Sequence, residues 1–380
     1  VSKLKADQGA VLVVMAGGSG TRFWPFSRVS KPKQYLPLAK GGRTLIEESI
    51  LRLEDLVGKD ATVVVTAESQ VEILKTYCPD VDVLAEPLAK NTAACLALAA
   101  HYVLKTVGDV PMICTPADHL VKGESELRAV FKKAIALCQT DDVLVTIGIK
   151  PTYPETGYGY IKGGNSFQSQ TGKPSGSFQV EKFVEKPDGK TALKYVESGE
   201  YYWNSGMFVW KPSVILKAIK EFLPNTARLT ELTVDSLSKG ASKEEIFNYY
   251  SNLESVSIDQ GVLEEAKNVV VYPGYSFNWS DIGSWQSWYD NALEESGDSH
   301  QNVVVGEAIC LGSEGCAVFD ATQFNGIDAK GQSKLIALVG LEDIVVVETE
   351  DCLLVCKKSE SQKVKQIVDL LKEKKMLNRI

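Results

Sequence analysis

The stretch MAGGSGTRFWPFSRVSKPKQYLPL, Met15 to Leu38, gathers Arg22, Arg28, Lys31 and Lys33 without one acidic residue, in a chain whose formal charge is −8. It follows the apolar run Ala10–Val14 and opens on Gly17, Gly18, Ser19, Gly20 and Thr21. Glycine permits positive φ and a close backbone approach to an anion, and nearby cations add charge where water is excluded. A strand leading into such a segment reads as a cradle for phosphate. The spacing does not give GxxxxGK[ST], and Phe23 stands where GxGxxG would need its third glycine. Pro25, Pro32 and Pro37 oppose an immediate helix, so the segment is expected to stay extended over its ligand.

Other residues could join such chemistry, and each also has a structural use. Asp118 lies just past the apolar run VPMICT, at the carboxyl edge of an expected strand, where open α/β sheets bind ligands; it could equally be a turn residue after Pro116. Asp281 precedes an expected helix, and either it or Ser280 could be the N-cap. Glycines inside the strand-like GYGY and NSG runs let a ligand approach the backbone. Ser257 and Gln260 have capping-box spacing, which places Asp259 in a first helical turn. Asn91 is a natural N-cap for the apolar helix that follows it.

The elements that must position these residues follow from periodicity. Strand runs Ala10–Ala16, Ala61–Thr66, Val81–Ala85, Val110–Thr115 and Val143–Ile149 alternate with helical stretches Thr44–Leu56, Glu68–Tyr77, Thr92–Lys105 and Glu124–Cys138. That alternation predicts an α/β fold with a mostly parallel, Rossmann-like sheet flanked by helices. GYGYIKGG, FQVEKFVEK and YYWNSGMFVW read as further strands, and helices are expected at Gly189–Ser198, Ser213–Phe222, Asn225–Leu237, Lys243–Tyr250 and Ser257–Ala266. The polar EESGDSHQN breaks the rhythm. It divides residues 1–293 from a small β-rich region, 294–380, that ends in the amphipathic helix Gln362–Lys374.

Composition narrows the function classes. The 380 residues are 44% hydrophobic and 24% charged, as in a globular protein with an ample core. The acidic balance argues against a nucleic-acid partner, and no run is long enough for a signal sequence or membrane span. Eight scattered cysteines without a CxxC pair point to free thiols, a cytoplasmic setting and no zinc. Three histidines leave little room for histidine-based catalysis.

The motifs GGSGTRFWPFSR with KPKQ, EPLAKNTAA, TPADH, FVEKP, WNSGMFVW, SIDQGVLE and WSDIGSW, in that order, resemble those of the sugar-phosphate nucleotidyltransferase family. Within it they are most similar to the bacterial monofunctional guanylyltransferases acting on mannose 1-phosphate. The resemblance implies GTP and mannose 1-phosphate as substrates and Mg2+ as cofactor. It implies Arg22 and Lys33 as catalytic cations and Asp118 and Asp281 as metal ligands. Gly17, Gly18, Ser19, Gly20, Thr21, Glu86, Asn91 and Thr92 would meet the nucleotide. Tyr158, Gly159, Glu185, Lys186, Asn204 and Asp259 would meet the sugar phosphate. It also implies a β-helix-like C-terminal region and a homodimer. Glu86 and carbonyls near Gly17 are candidate acceptors for the guanine N–H groups, although spacing does not select the base. Gln260 stands where many family members carry an aromatic residue, which weakens the sugar role of Asp259. The end of the chain at Ile380 leads to the expectation of a single activity, without the cupin-like isomerase domain of some members. A non-catalytic nucleotide-sugar sensor of the same fold, and an enzyme for another hexose or base, remain the alternatives. A dinucleotide-dependent dehydrogenase is disfavoured by Phe23.

Overall fold

The computed structural model describes residues 4–18, 20–172, 174–275, 277–324 and 334–380. In chain order the strands are β1 (Val11–Ala16), β2 (Thr62–Ala67), β3 (Asp82–Glu86), β4 (Met112–Pro116), the short β5 (Leu120–Lys122), β6 (Leu144–Ile149), β7 (Tyr160–Gln168), β8 (Pro174–Val184), β9 (Tyr201–Trp210), β10 (Val269–Gly274) and the short β11 (Asn278–Ser280). The C-terminal strands are β12 (Val303–Val305), β13 (Ala308–Leu311), β14 (Ala317–Asp320), β15 (Ile336–Val339), β16 (Ile344–Glu348) and β17 (Leu353–Lys357). The helices are α1 (Leu45–Val57), α2 (Val71–Tyr77), α3 (Asn91–Thr106), α4 (Glu124–Thr140), α5 (Gly189–Ser198), α6 (Pro212–Phe222), α7 (Pro224–Ser238), α8 (Lys243–Ser251), α9 (Trp285–Ser296) and α10 (Val364–Glu373). Among the described residues no helix is long and apolar enough to cross a membrane.

Two compact units contain these elements: Val1–Gly17, Glu47–Ala117 and Val121–Trp279 form the first, and Gly18–Ile46, Asp118–Leu120 and Ser280–Ile380 form the second. The chain-order division at residue 293 does not coincide with them, because the cation-rich segment and α9 share a core with the C-terminal strands.

The first unit is built on one nine-stranded sheet, ordered β3-β2-β1-β4-β9-β6-β10-β8-β7. The block β3-β2-β1-β4 is parallel, and β6 pairs parallel with β10. β9 runs antiparallel to β4, β6 and β7, which makes the sheet mixed. β1 and β4 read as unbroken apolar runs because they are covered on both faces. Chain order reverses between these two adjacent strands, the switch point at whose carboxyl end α/β sheets take ligands. α3 packs closely because Ala93, Ala94, Ala97, Ala99 and Ala100 are fully buried small residues. Prolines at the first positions of α6 and α7 pre-set the helical φ where no N–H partner is needed. Gly189–Ser198 is helical as expected, and its N-cap Asp188 accepts from Lys190 N and Thr191 N. The expected helix Ser257–Ala266 is instead a short π-helical turn, Asp259–Leu263.

The second unit carries a four-stranded sheet, β12-β14-β16-β17, and a two-stranded one, β13-β15. The parallel pairing of β12, β14 and β16, and of β13 with β15, gives the expected β-helix-like stack. Cys316, Val318, Leu338 and Val346 fill one small core. The larger core is aromatic. Phe319 lies 5.0 Å from Phe26, 5.3 Å from Trp285 and 5.1 Å from Trp288, ring centroid to centroid. Trp285 reaches Phe23 at 4.8 Å, so the same core fixes the start of the cation-rich segment. Phe319→Ala empties the centre of this cluster and is expected to cost about 3–5 kcal/mol, read as a lowered urea midpoint for the unfolding of this unit.

Candidate active site

Lys33 organises the cationic part of the second unit. It opens a short 3-10 turn, Lys33–Tyr35, and is 5% exposed. Its Nζ donates to Asp118 Oδ2 at 2.9 Å and to the Asp281 carbonyl at 2.5 Å. The KPKQ, TPADH and WSDIG motifs therefore meet at one ammonium. Burial opposes the charge on Asp118, but Lys33, His119 and Arg22 outweigh it and hold the carboxyl below its usual range. His119 Nε2 lies 3.8 Å from Asp118 Oδ1. A Cβ on Gly283 would lie 2.9 Å from Asp281 Oδ2 and 3.2 Å from Arg22 Nη1, so a side chain there would crowd both groups. Arg22 is exposed, and its Nη1 donates to Gln362 Oε1 at 3.1 Å.

The segment expected to stay extended is folded into turns. Thr21–Phe23 and Lys33–Tyr35 are 3-10 turns, and the Trp24–Pro25 peptide is cis. Gly20 has φ +60°, and a Cβ there would lie 2.2 Å from Lys33 Cβ. Its carbonyl accepts from Ser27 Oγ at 2.7 Å. The exposed Gly18 offers its carbonyl to Gln34 Nε2 at 3.1 Å. Ser19 lies outside the described residues. Arg28 has a structural role: it pairs with Asp351 at 2.7 Å and donates to the Pro25 and Arg379 carbonyls. Lys31 lies over the Phe26 ring at 5.7 Å, and burial lowers its pKa. Neither candidate cap at Ser280 or Asp281 caps α9; Ser284 does, in a capping box with Ser287.

The first unit holds the other candidates in two groups. Glu86 ends β3, is 6% exposed, and sits with Oε2 3.9 Å from where a Gly17 Cβ would be. Burial raises its pKa to about 7, against the Tyr250 hydroxyl, which favours the ionised form from 3.5 Å. Asn91 is the first residue of α3 rather than its cap, with φ +65°. Its Oδ1 accepts from Thr92 N at 2.8 Å. Thr92 Oγ1 accepts from Ile258 N at 2.8 Å, so its oxygen is engaged in holding the chain before Asp259.

The second group gathers Gly159, Glu185, Asn204 and Asp259. Asn204 Nδ2 donates to Asp259 Oδ1 at 2.9 Å, and Asn204 N donates to the Gly159 carbonyl at 2.8 Å. A Cβ on Gly159 would come within 2.7 Å of Glu185 Oε2. Burial and the Glu185 charge raise the Asp259 pKa to about 6, although the Asn204 amide favours the carboxylate. Lys186, at φ +46°, pairs with the adjacent Glu185 at 2.5 Å while its side chain is 61% exposed. Tyr158 meets Trp203 and Trp279 edge to face at 5.3 and 5.2 Å, an aromatic wall of the kind sugars stack on. Of the expected capping box only one bond is seen, Gln260 N donating to Ser257 Oγ at 3.2 Å, and the residue that caps the turn is Ile258.

Residues 11–296 match the Nucleotidyl transferase family, and residues 325–371 match the MannoseP isomerase/GMP-like β-helix domain. The chain belongs to the nucleotidyl transferase family. It is 37% identical over 383 residues to mannose-1-phosphate guanylyltransferase 2 of Escherichia coli O157:H7, covering 97% of this chain and 74% of that protein. It is 34% identical over 370 residues to the mannose-1-phosphate guanylyltransferase of Klebsiella pneumoniae, covering 95% of this chain and 74% of that one. A solved structure described as a mannose-1-phosphate geranyltransferase from Thermus thermophilus superposes with a TM-score of 0.81 at 31% identity, over 96% of this chain and 99% of that one.

Residues without a functional role in the sequence reading support the candidates. Gln34, Gln362, Tyr250 and Thr146 each bond a candidate residue or its backbone from a distant or apolar stretch. Only the proximity of Gln34 to Lys33 gave a sequence signal. A test of the packing is Gly20→Ala. The methyl must displace Lys33 or the glycine turn, so kcat/KM of the nucleotidyl transfer should fall by about 10²-fold, as for a misplaced reacting group, with the far-ultraviolet circular dichroism unchanged.

Proposed function

We propose that this chain transfers GMP from GTP to α-D-mannose 1-phosphate, giving GDP-mannose and pyrophosphate. The observation that carries the reading is the Lys33 ammonium, bonded at once to Asp118 and to the Asp281 backbone. A phosphate oxygen of mannose 1-phosphate attacks the α-phosphorus of GTP in line. The new P–O bond forms as the bond to the α,β-bridging oxygen breaks, and pyrophosphate carries that electron pair away. Such a step needs positioning and charge stabilisation more than covalent help. Lys33 serves as a point charge on the α-phosphate and sugar phosphate. Arg22, whose planar fork suits phosphate oxygens, clamps the triphosphate. Gly17, Gly18 and Gly20 with Thr21 bring backbone groups to it, and Asn91 and Thr92 flank the nucleotide.

Asp118 and Asp281 suit Mg2+, which takes one or two carboxylates and completes its shell with phosphate and water. Bound there, it would neutralise phosphate charge. Asn204, Asp259, Glu185 and Gly159 supply donors and acceptors to the mannose hydroxyls beside Tyr158, and Lys186 meets the sugar phosphate. The scattered thiols fit a cytoplasmic setting. A homodimer through the second unit is supported by the exposed apolar side chains of Ile309, Leu311, Leu353 and Val355 on β13 and β17. Light scattering should give twice the chain mass, reduced to one by Leu353→Glu with Val355→Glu.

Pyrophosphate release with Mg2+ tests the activity, with four nucleoside triphosphates crossed against mannose 1-phosphate and glucose 1-phosphate. Release is expected with GTP and mannose 1-phosphate, falling about 10²–10³-fold in Arg22→Ala, as when a preorganised charge-stabilising donor is removed. Release only with another pair, or none despite bound GDP-mannose, sinks the assignment. Asp259 is the stronger acceptor when ionised, since protonation turns one of its oxygens into a donor. KM for mannose 1-phosphate should therefore rise as pH falls through about 6, and Asp259→Asn should flatten that rise.

A further inference from the structure

The Tyr250 phenol is fully buried, yet it lies in a cluster with acidic and thiol neighbours rather than among hydrocarbons alone. It comes from α8, far along the chain from the first nucleotide motif, and its hydroxyl faces Glu86 Oε1 at 3.5 Å. The other carboxylate oxygen, Oε2, is turned toward Gly17, at the carboxyl end of β1. The chain after Tyr250 is fastened to the residues after Glu86 at three places. Lys90 Nζ donates to the Ser251 and Leu253 carbonyls at 3.1 and 2.6 Å. Ala93 N donates to the Val256 carbonyl at 3.2 Å, and Ile258 N donates to Thr92 Oγ1 at 2.8 Å. Asp259 follows directly and bonds Asn204. One strap, residues 250–259, thus runs from the acid proposed for the base to the acid proposed for the sugar.

We propose that Tyr250 is a positioning residue for base selection: its hydroxyl holds one oxygen of Glu86 so that the other is presented beside Gly17 to the N–H donors of a 2-amino-6-oxopurine. This rests on the reading that GTP is the nucleotide. A carboxylate without a fixed rotamer could turn away from the base, and a buried one left without a donor is costly. The phenol supplies that donor and stays protonated, because burial and the Glu86 charge push its pKa up. Among the described residues, Tyr250 on α8 and Cys95 on α3 interact electrostatically with this carboxylate, and burial keeps both neutral. Glu86 accordingly carries the negative charge at the base above about pH 7 and loses it below.

The test is steady-state pyrophosphate release by the full chain with Tyr250→Phe, Glu86→Gln and the double variant, using GTP and ITP, which lacks the 2-amino group. Tyr250→Phe keeps the ring and removes only the hydroxyl. It should raise KM for GTP about tenfold, the range for one hydrogen bond to a charged group, with kcat within about twofold. The GTP/ITP preference in kcat/KM should drop, and KM for mannose 1-phosphate should stay. The hydroxyl favours the ionised carboxylate, so its removal should move the acid limb of the KM(GTP) profile to higher pH. In the Glu86→Gln background, adding Tyr250→Phe should change nothing further.

An unmoved KM, preference and pH limb in Tyr250→Phe overturns the proposal. So does an equal loss in both substrates' KM, or an undiminished effect in the Glu86→Gln background, since either marks a packing role. Should Tyr250→Phe not fold, 3-fluorotyrosine at position 250 keeps the ring and strengthens the donor; an acid limb of KM(GTP) moved to lower pH then supports the proposal, and an unmoved limb overturns it. If the native chain ignores GTP but uses another triphosphate, the failure belongs to the nucleotide assignment instead.

Discussion

A lysine that is 5% exposed needs partners, and the second unit is organised around supplying them. An unpaired buried ammonium would be costly, whereas one bonded to a carboxylate and a carbonyl is held in a single place. Lys33 meets both conditions through Asp118 and Asp281. Its position depends in turn on a glycine at residue 20, whose positive φ and missing side chain leave room for the Lys33 stem. It also depends on the aromatic core of Phe23, Trp285, Trp288 and Phe319, which fixes the chain on either side. Fold stability and the placement of the Lys33 ammonium therefore share one set of contacts in this unit.

The first unit makes a different kind of preparation. Its parallel block ends with Gly17 after β1 and Glu86 on β3, and its strained positions, Asn91 and Lys186, fall within the candidate motifs. Glu86 and Asp259 are both carboxyls raised by burial, to about 7 and about 6. Each already accepts one hydrogen bond, from Tyr250 and from Asn204, that favours its ionised form, and any further donor would lower either pKa.

Much of this was legible in the sequence because its causes are local. β1 and β4 announce themselves as apolar runs buried on both faces, and the helix expected at Gly189–Ser198 forms as α5. The glycine and lysine motifs are contiguous strings. What escaped depends on contacts distant in sequence. The motif resemblance set Arg22 and Lys33 apart from the other two cations, and the fold shows the partners: Arg28 pairs with Asp351 while Lys33 meets Asp118. Prolines suggested an extended segment, yet Phe23, Phe26 and Tyr35 bury their rings and draw it into turns. Capping of α9 was one use open to Ser280 or Asp281, and in the fold Ser284 takes it. The antiparallel entry of β9 and the joining of α9 to the C-terminal strands are likewise tertiary choices that periodicity does not encode.

The most direct measurement is a single-turnover assay of pyrophosphate formation from GTP and mannose 1-phosphate by Lys33→Met, which keeps the stem and removes the charge. A loss of about 10²–10³-fold in the chemical step, typical of removing a preorganised charge-stabilising group, is predicted, with the fold intact by circular dichroism. A folded Lys33→Met enzyme that turns over within a few-fold of the native chain would contradict the account.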